Sequence, residues 1–240
     1  MEIIDTKKKT IIFIDWDDTI LPTTVLLQHT TPLFIPKEVD DQLTEYFAGN
    51  IELNPNLKPY LHKLFDKYTG KEEKLKHEIF KELLILQDVA LSFIYKLKSI
   101  GDVYIVTNSV NGWVKYSSEI WMTLLIDQLY NKNIISEIIS AFSDNSNINS
   151  NPVFWKYNSM KNVLAKKVNL YDHFDIISIG DSNTEREAIH VLAKEYPNCT
   201  LKSIKMIEKP TINQLNQQLS KLNYMINSIS TQTGYIDYQL

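Results

Sequence analysis

Two carboxylates separated by one residue, Asp15 and Asp17, close the apolar run Thr10-Ile11-Ile12-Phe13-Ile14. On extended backbone a spacing of two returns a side chain to the same side. Both carboxyl groups can therefore face one cleft while Trp16 turns back to pack in the core. Paired carboxylates repel and favour a cation between them. An all-oxygen set without Cys or paired His suits a hard ion such as Mg²⁺. Alone, the pair is also an ordinary polar turn. A third carboxylate, Asp181, ends another apolar run in Ile179-Gly180-Asp181-Ser182-Asn183-Thr184-Glu185. Gly180 permits close backbone approach there. Glu185, four residues on, can orient the site or bind through water, although acids favour the first turn of a helix in any case. Thr107-Asn108-Ser109 follows a further apolar run, and a hydroxyl with backbone N–H groups at such a junction cradles phosphate oxygens. Lys156 opens a helix and could balance the charge of phosphate and carboxylates.

These residues need strand ends to hold them. Thr10–Asp15, Asp102–Thr107, Glu137–Phe142, Phe174–Gly180 and Thr200–Ile207 read as five buried strands. Helical patterns run from Lys71 to Leu86, from Asp88 to Ser99, from Gly112 to Asn131, from Lys156 to Val168 and from Thr211 to Met225, with a short one around Lys37–Phe47. Thr184-x-x-Glu187 carries the capping-box signature of a further helix start. Ser143–Asn151 is a polar, low-complexity stretch with little tendency to order. Strands alternating with helices predict an α/β fold, a Rossmann-like three-layer sandwich on a mainly parallel five-stranded sheet. Ligands in such sheets bind beyond the carboxyl ends of the strands, near a reversal of strand order. Asp15, Thr107 and Asp181 all fall at such ends.

Composition narrows the partners. The chain has 240 residues and a formal net charge of −4, and Arg186 is the one arginine among 25 basic residues. Arginine forks onto phosphates and base edges, so an arginine-built phosphopeptide or nucleic-acid reader is disfavoured, and no pull toward an anionic membrane is expected. Cys199 stands alone, which excludes an intrachain disulfide and a cysteine zinc site. His29, His62, His77, His173 and His190 show no metal-ligand spacing. No signal-peptide core or membrane span is recognised, so a cytoplasmic protein is expected.

Taken together, Asp15-x-Asp17-x-Thr19, Thr107, Lys156 and Gly180-Asp181-x-x-x-Glu185 resemble the four ordered motifs of the haloacid dehalogenase (HAD) superfamily. The resemblance implies a nucleophile at Asp15 and a general acid and base at Asp17. It implies Mg²⁺ on the carboxylates of Asp15 and Asp181 and on the backbone carbonyl of Asp17. Thr107, the backbone of Asn108 and Lys156 would stabilise the transferring phosphoryl group. Thr19, Gly180 and Glu185 would support the site. Asp17 favours phosphatase or phosphotransferase chemistry, because the dehalogenase branch lacks this aspartate and the ion pumps carry threonine there. Asp18 stands where many members have glycine, and Glu185 where many have aspartate. The family places a cap after its first motif, so residues 1–20 and 87–240 are expected as the core and 21–86 as a helical cap or flap. The expected activity is Mg²⁺-dependent hydrolysis of a phosphomonoester, with a small phosphorylated metabolite favoured. A phosphoprotein substrate is the alternative, since the first motif also matches capless protein phosphatases. A non-catalytic phosphate-binding protein is the other.

Overall fold

Alternate side chains of β1 (Lys9–Ile14) feed two separate cores: Ile12 and Ile14 enter one, Ile11 and Phe13 the other. A central strand buried on both faces must read as continuous apolar sequence, and this one does. The computed structural model describes residues 9–28, 42, 73–131, 134–167 and 173–240. After β1 come α1 (Thr23–Gln28), α2 (Glu73–Ile100), β2 (Asp102–Thr107), α3 (Trp113–Trp121), α4 (Thr123–Asn131) and β3 (Glu137–Ser140). They are followed by α5 (Ala141–Asn145), α6 (Pro152–Ala165), β4 (Phe174–Gly180), α7 (Asn183–Glu195), β5 (Cys199–Lys205), α8 (Ile212–Thr231) and β6 (Ile236–Gln239). All neighbouring strands pair in parallel, in the order β3-β2-β1-β4-β5-β6. The order reverses between β1 and β4, which opens a crevice at their carboxyl ends. Helices α2, α3, α4 and α8 pack on one face, through Phe93, Trp121, Leu125 and Leu219 among others. Helices α6 and α7 cover the other through Met160, Val163, Ile189 and Leu192. This is a Rossmann-like α/β fold in three layers.

The described sheet has six strands where five were expected. The additional β6 is only Ile236-Asp237-Tyr238-Gln239, and its alternating burial matches an edge that packs Ile236 and Tyr238 on the core. Four residues beside a glycine are too few to announce a strand. The helices expected at 71–86 and 88–99 are one helix of 28 residues, α2. Leu83, Leu86, Ala90, Phe93, Ile94 and Leu97 form an unbroken buried stripe across the expected boundary, and no Gly or Pro interrupts it. Conversely, the helix expected at 112–131 divides at Met122 into α3 and α4. Gln87 of α2 accepts a hydrogen bond from the Leu124 N–H (2.9 Å), satisfying a donor at the start of α4. The third strand ends at Ser140, two residues early, where Ser140 caps α5 by accepting from Ser143 N–H.

That cap also corrects the reading of 143–151 as a stretch with little order. Ser143 Oγ accepts from Asn111 N–H at 2.8 Å, and the Ser140 hydroxyl donates to Ser109 O at 2.6 Å, so these polar residues brace the loop after β2. Asn151 then caps α6, with Pro152 in its first turn. The capping box of α7 is Ser182 with Glu185, two residues before the expected Thr184–Glu187 pair. Most of the insertion expected at 21–86, with its short helix around 37–47, lies outside the described residues.

Candidate active site

Sharp turning at the end of β1 brings the first motif back on itself. The N–H groups of Thr19, Ile20 and Leu21 all donate to Trp16 O (3.3, 2.9 and 3.1 Å). Asp18 takes a left-handed backbone (φ 55°), a conformation native to glycine and tolerated by aspartate. Its carboxylate accepts from Thr24 N–H at 2.8 Å and from the Thr24 hydroxyl, which offsets the backbone cost. Trp16 is fully buried and donates its indole N–H to Ser117 Oγ at 2.9 Å, the core role expected of it.

With Trp16 turned to the α2/α8 layer, Asp15 faces α6 and α7. Lys156 Nζ donates to Asp15 Oδ1 at 2.6 Å, lies 3.2 Å from Glu185 Oε1, and donates to Val106 O. Glu185 reaches this position because Gly180 has no side chain: a Cβ there would lie 2.8 Å from Glu185 Cγ. Ser182 holds the other Glu185 oxygen, its N–H donating to Oε2 at 3.2 Å. Asp181 completes the group. Carboxylate oxygens of Asp15, Asp181 and Glu185 lie within 4.8 Å of one another, and all three residues are buried. The Thr19 hydroxyl donates to Asp181 Oδ1 at 3.4 Å. Behind it, Lys205 Nζ donates to the Asp181 carbonyl and to Met206 O (3.1 Å).

Burial lifts the Asp15 carboxyl well above the ordinary aspartate range, with Glu185 and Asp17 adding to the rise and Lys156 opposing it. Burial works against the charge of Lys156, yet Asp15 and Glu185 outweigh it and hold the ammonium above the ordinary lysine range. Burial likewise opposes the Glu185 charge, and Lys156 with the Ser182 hydrogen bond outweighs it, leaving that carboxyl low. Asp181 is pushed up to about 7, first by burial and then by Glu185 and Asp18. Fully ionised, three carboxylates share one ammonium, leaving an excess of negative charge that one divalent cation would neutralise. The all-oxygen donor set fits Mg²⁺ on those grounds.

Asp17 lies apart from this cluster. Its Oδ1 accepts from Thr23 Oγ1 and Trp113 Nε1, both at 2.7 Å; its Oδ2 accepts from Thr107 Oγ1 at 3.0 Å and Ser109 Oγ at 2.7 Å. Both oxygens of its carboxylate are thus engaged outside the acidic group, whose third member is Glu185. A cleft of about 590 Å³ opens over both parts, with Asp15, Asp17, Asn108, Ser109, Trp113 and Phe142 among its walls. That volume is ordinary for a small-molecule site. Asn108 lines it with Oδ1 unpartnered among the described residues. Thr107 and Lys156, expected at a phosphate, are almost wholly buried behind the wall and engage Asp17 and Asp15.

Ser109, Thr23 and Trp113 carry polar contacts that sequence reading did not assign. Ser109 follows the Thr107 strand end, a usable signal, whereas nothing in sequence tells where an indole N–H points. Lys205 ends β5, so the strand-end rule could have found it. Arg186 pairs with Asp237 of β6 through Nε–Oδ1 at 3.2 Å and a second contact from Nη2.

No family model matches the chain, and no curated protein matches it. Among solved structures it is similar to a Bacillus subtilis protein described as the HAD-hydrolase YfnB, crystallised with magnesium. That match covers 83% of this chain and 89% of the other, at 18% identity and a TM-score of 0.36. Among the described residues, no helix is long and apolar enough to cross a membrane.

Proposed function

We propose that this protein is a Mg²⁺-dependent phosphomonoesterase of the haloacid dehalogenase type, acting on a small phosphorylated metabolite through an aspartyl-phosphate. The observation that carries the reading is the pairing of a buried acidic trio, Asp15, Asp181 and Glu185, with a separately held carboxylate at Asp17, both at the mouth of the crevice beside β1. The ordered motifs of the sequence point the same way.

In this reading Asp15 attacks phosphorus, forming an O–P bond as the bond to the leaving alcohol breaks. Asp17 gives a proton to the departing oxygen, then takes one from the water that cleaves the acyl phosphate. Lys156 holds Asp15 in place and favours its ionised form. The Ser109 hydroxyl stands on the cleft wall beside Asp17 with the Thr107 hydroxyl behind it, and in this reading both turn from that carboxylate to phosphoryl oxygens. Asp15, Asp181 and the backbone of Asp17 would hold Mg²⁺, with Glu185 supporting. Bound there, the metal would offset the repulsion between an anionic nucleophile and an anionic substrate. An insertion between α1 and α2 would read the leaving group and exclude water, while Leu83 and Leu86 of α2 belong to the core.

The test is phosphate release from a panel of phosphorylated metabolites and phosphopeptides, with Mg²⁺ and with chelator. Release that needs the metal and disappears in Asp15→Asn supports the reading. Preference for phosphopeptides would shift the substrate to phosphoprotein. Metal binding without turnover would make the protein a phosphate binder.

A further inference from the structure

Asp17 has two chemically different oxygens in this structure. Oδ2 is held by the hydroxyls of Thr107 and Ser109, groups that can rotate and accept as well as donate. Oδ1 is held by the Thr23 hydroxyl and by Trp113 Nε1, each at 2.7 Å. An indole N–H only donates. A proton on Oδ1 would therefore face a second proton on Trp113, at the cost of that hydrogen bond. The indole is also fixed in direction: its ring packs against Tyr116 at 5.9 Å and edge-on to Trp121 at 6.2 Å between centroids. Trp113 stands on the first turn of α3, on the cleft wall, so the donor is presented from a rigid element beside the reacting groups.

We infer that Trp113 is a positioning residue for proton transfer: it keeps Oδ1 of Asp17 in the unprotonated, accepting role and so assigns Oδ2 as the oxygen that exchanges the proton. This rests on the proposed phosphatase reading. In the first half-reaction the proton leaves Oδ2 for the leaving oxygen as the P–O bond to the alcohol breaks. In the second it returns to Oδ2 from the attacking water as the P–O bond to Asp15 breaks. The hydroxyls of Thr107 and Ser109 must release Oδ2 for this, while Trp113 need not move.

The test compares two substrates that differ in their need for a general acid. An alkyl phosphate requires protonation of a poor leaving group; a dinitrophenyl phosphate does not. Trp113→Phe, which keeps the ring and removes the N–H, should slow first-turnover release of the alcohol from the alkyl phosphate about tenfold or more while slowing first-turnover release of the phenol from the dinitrophenyl ester by less than about threefold. The later hydrolysis of the acyl phosphate, which needs Asp17 for both, lies outside this measurement. Trp113→His, with a ring N–H but a poorer match in shape, should recover part of the rate of alcohol release. An equal fall on both substrates, no fall on either, or a histidine variant no better than phenylalanine would overturn the inference. Should Trp113→Phe fail to fold, the histidine variant's ratio of the two rates against wild type decides: a ratio depressed as far as in Asp17→Asn overturns it, and one kept near wild type supports it. Failure of the phosphatase reading looks different: wild type turns over neither ester, or Asp15→Asn retains turnover.

Discussion

Replacing Asp181 with asparagine should stabilise the metal-free protein at alkaline pH and weaken its response to Mg²⁺. Asp181 is only 7% exposed, and its oxygens share a 4.8 Å space with those of Asp15 and Glu185. Its carboxyl is raised from 3.8 to about 7, chiefly by burial. The folded state therefore keeps this proton to higher pH than the unfolded chain does. The stabilising contribution is complete below about pH 4 and is lost progressively as pH rises to about 7. At about 1.4 kcal/mol per pH unit, the full loss approaches ~4 kcal/mol by about pH 8. For a chain of this length, that corresponds to a Tm change of about 8 °C or somewhat more. Asparagine carries no charge to bury, so Asp181→Asn should flatten the pH dependence and raise Tm at about pH 8 by several degrees. Mg²⁺ selects the ionised carboxylate, so at a hundredfold excess over its Kd it should return about 2.7 kcal/mol to wild type and much less to the variant. Thermal unfolding at about pH 5 and about pH 8, with Mg²⁺ and with chelator, reads all four quantities. Parallel pH curves for the two proteins would mean that burial does not raise the Asp181 carboxyl, and an equal metal response that Asp181 does not bind the ion.

Three further outcomes follow from the same geometry. Lys156→Met leaves Asp15 and Glu185 without their shared ammonium, so it should cost about 3–5 kcal/mol in denaturant unfolding at neutral pH and abolish turnover. Asp18→Ala should cost about 2–3 kcal/mol, from the left-handed backbone and the lost bonds to Thr24, whereas Asp18→Gly relieves the backbone and should cost about 1 kcal/mol less. Leu86→Ala should lose about 2–5 kcal/mol in the main unfolding transition, because Leu86 belongs to the core shared by α2, α8 and the sheet. A separate, earlier transition in that variant would instead place Leu86 in an independent lid.

The strand ends were legible because they follow from local pattern. Asp15, Thr107 and Asp181 each terminate an apolar run, and parallel-sheet topology gathers such ends without further information. Glu185 was legible as a neighbour of that site but not as a member of the acidic trio, which depends on Gly180 letting its side chain pass beneath the strand end. Lys156 was found by its order along the chain, while its burial depends on how α6 lies across β1 and β2. Trp113 and Thr23 were missed for a different reason. Tryptophan in a helix is usually core, and only the docking of α3 against the loop after β1 turns its N–H onto Asp17. The sixth strand was hidden by its brevity, and α2 was split in two because a polar Gln87-Asp88 pair looks like a boundary until the buried stripe on either side is aligned.

Covalent chemistry at Asp15 can be caught by trapping the phosphoryl-enzyme. Protein mixed with Mg²⁺ and an aryl phosphate, quenched in acid within one turnover and mapped by mass spectrometry, should carry one phosphoryl group on the peptide containing Asp15. Asp17→Asn, impaired in the water-activating step, should carry more of it, and Asp15→Asn none. Phosphate release with no trapped phosphoryl peptide in either wild type or Asp17→Asn, or a phosphoryl group on another residue, would exclude Asp15 as the nucleophile.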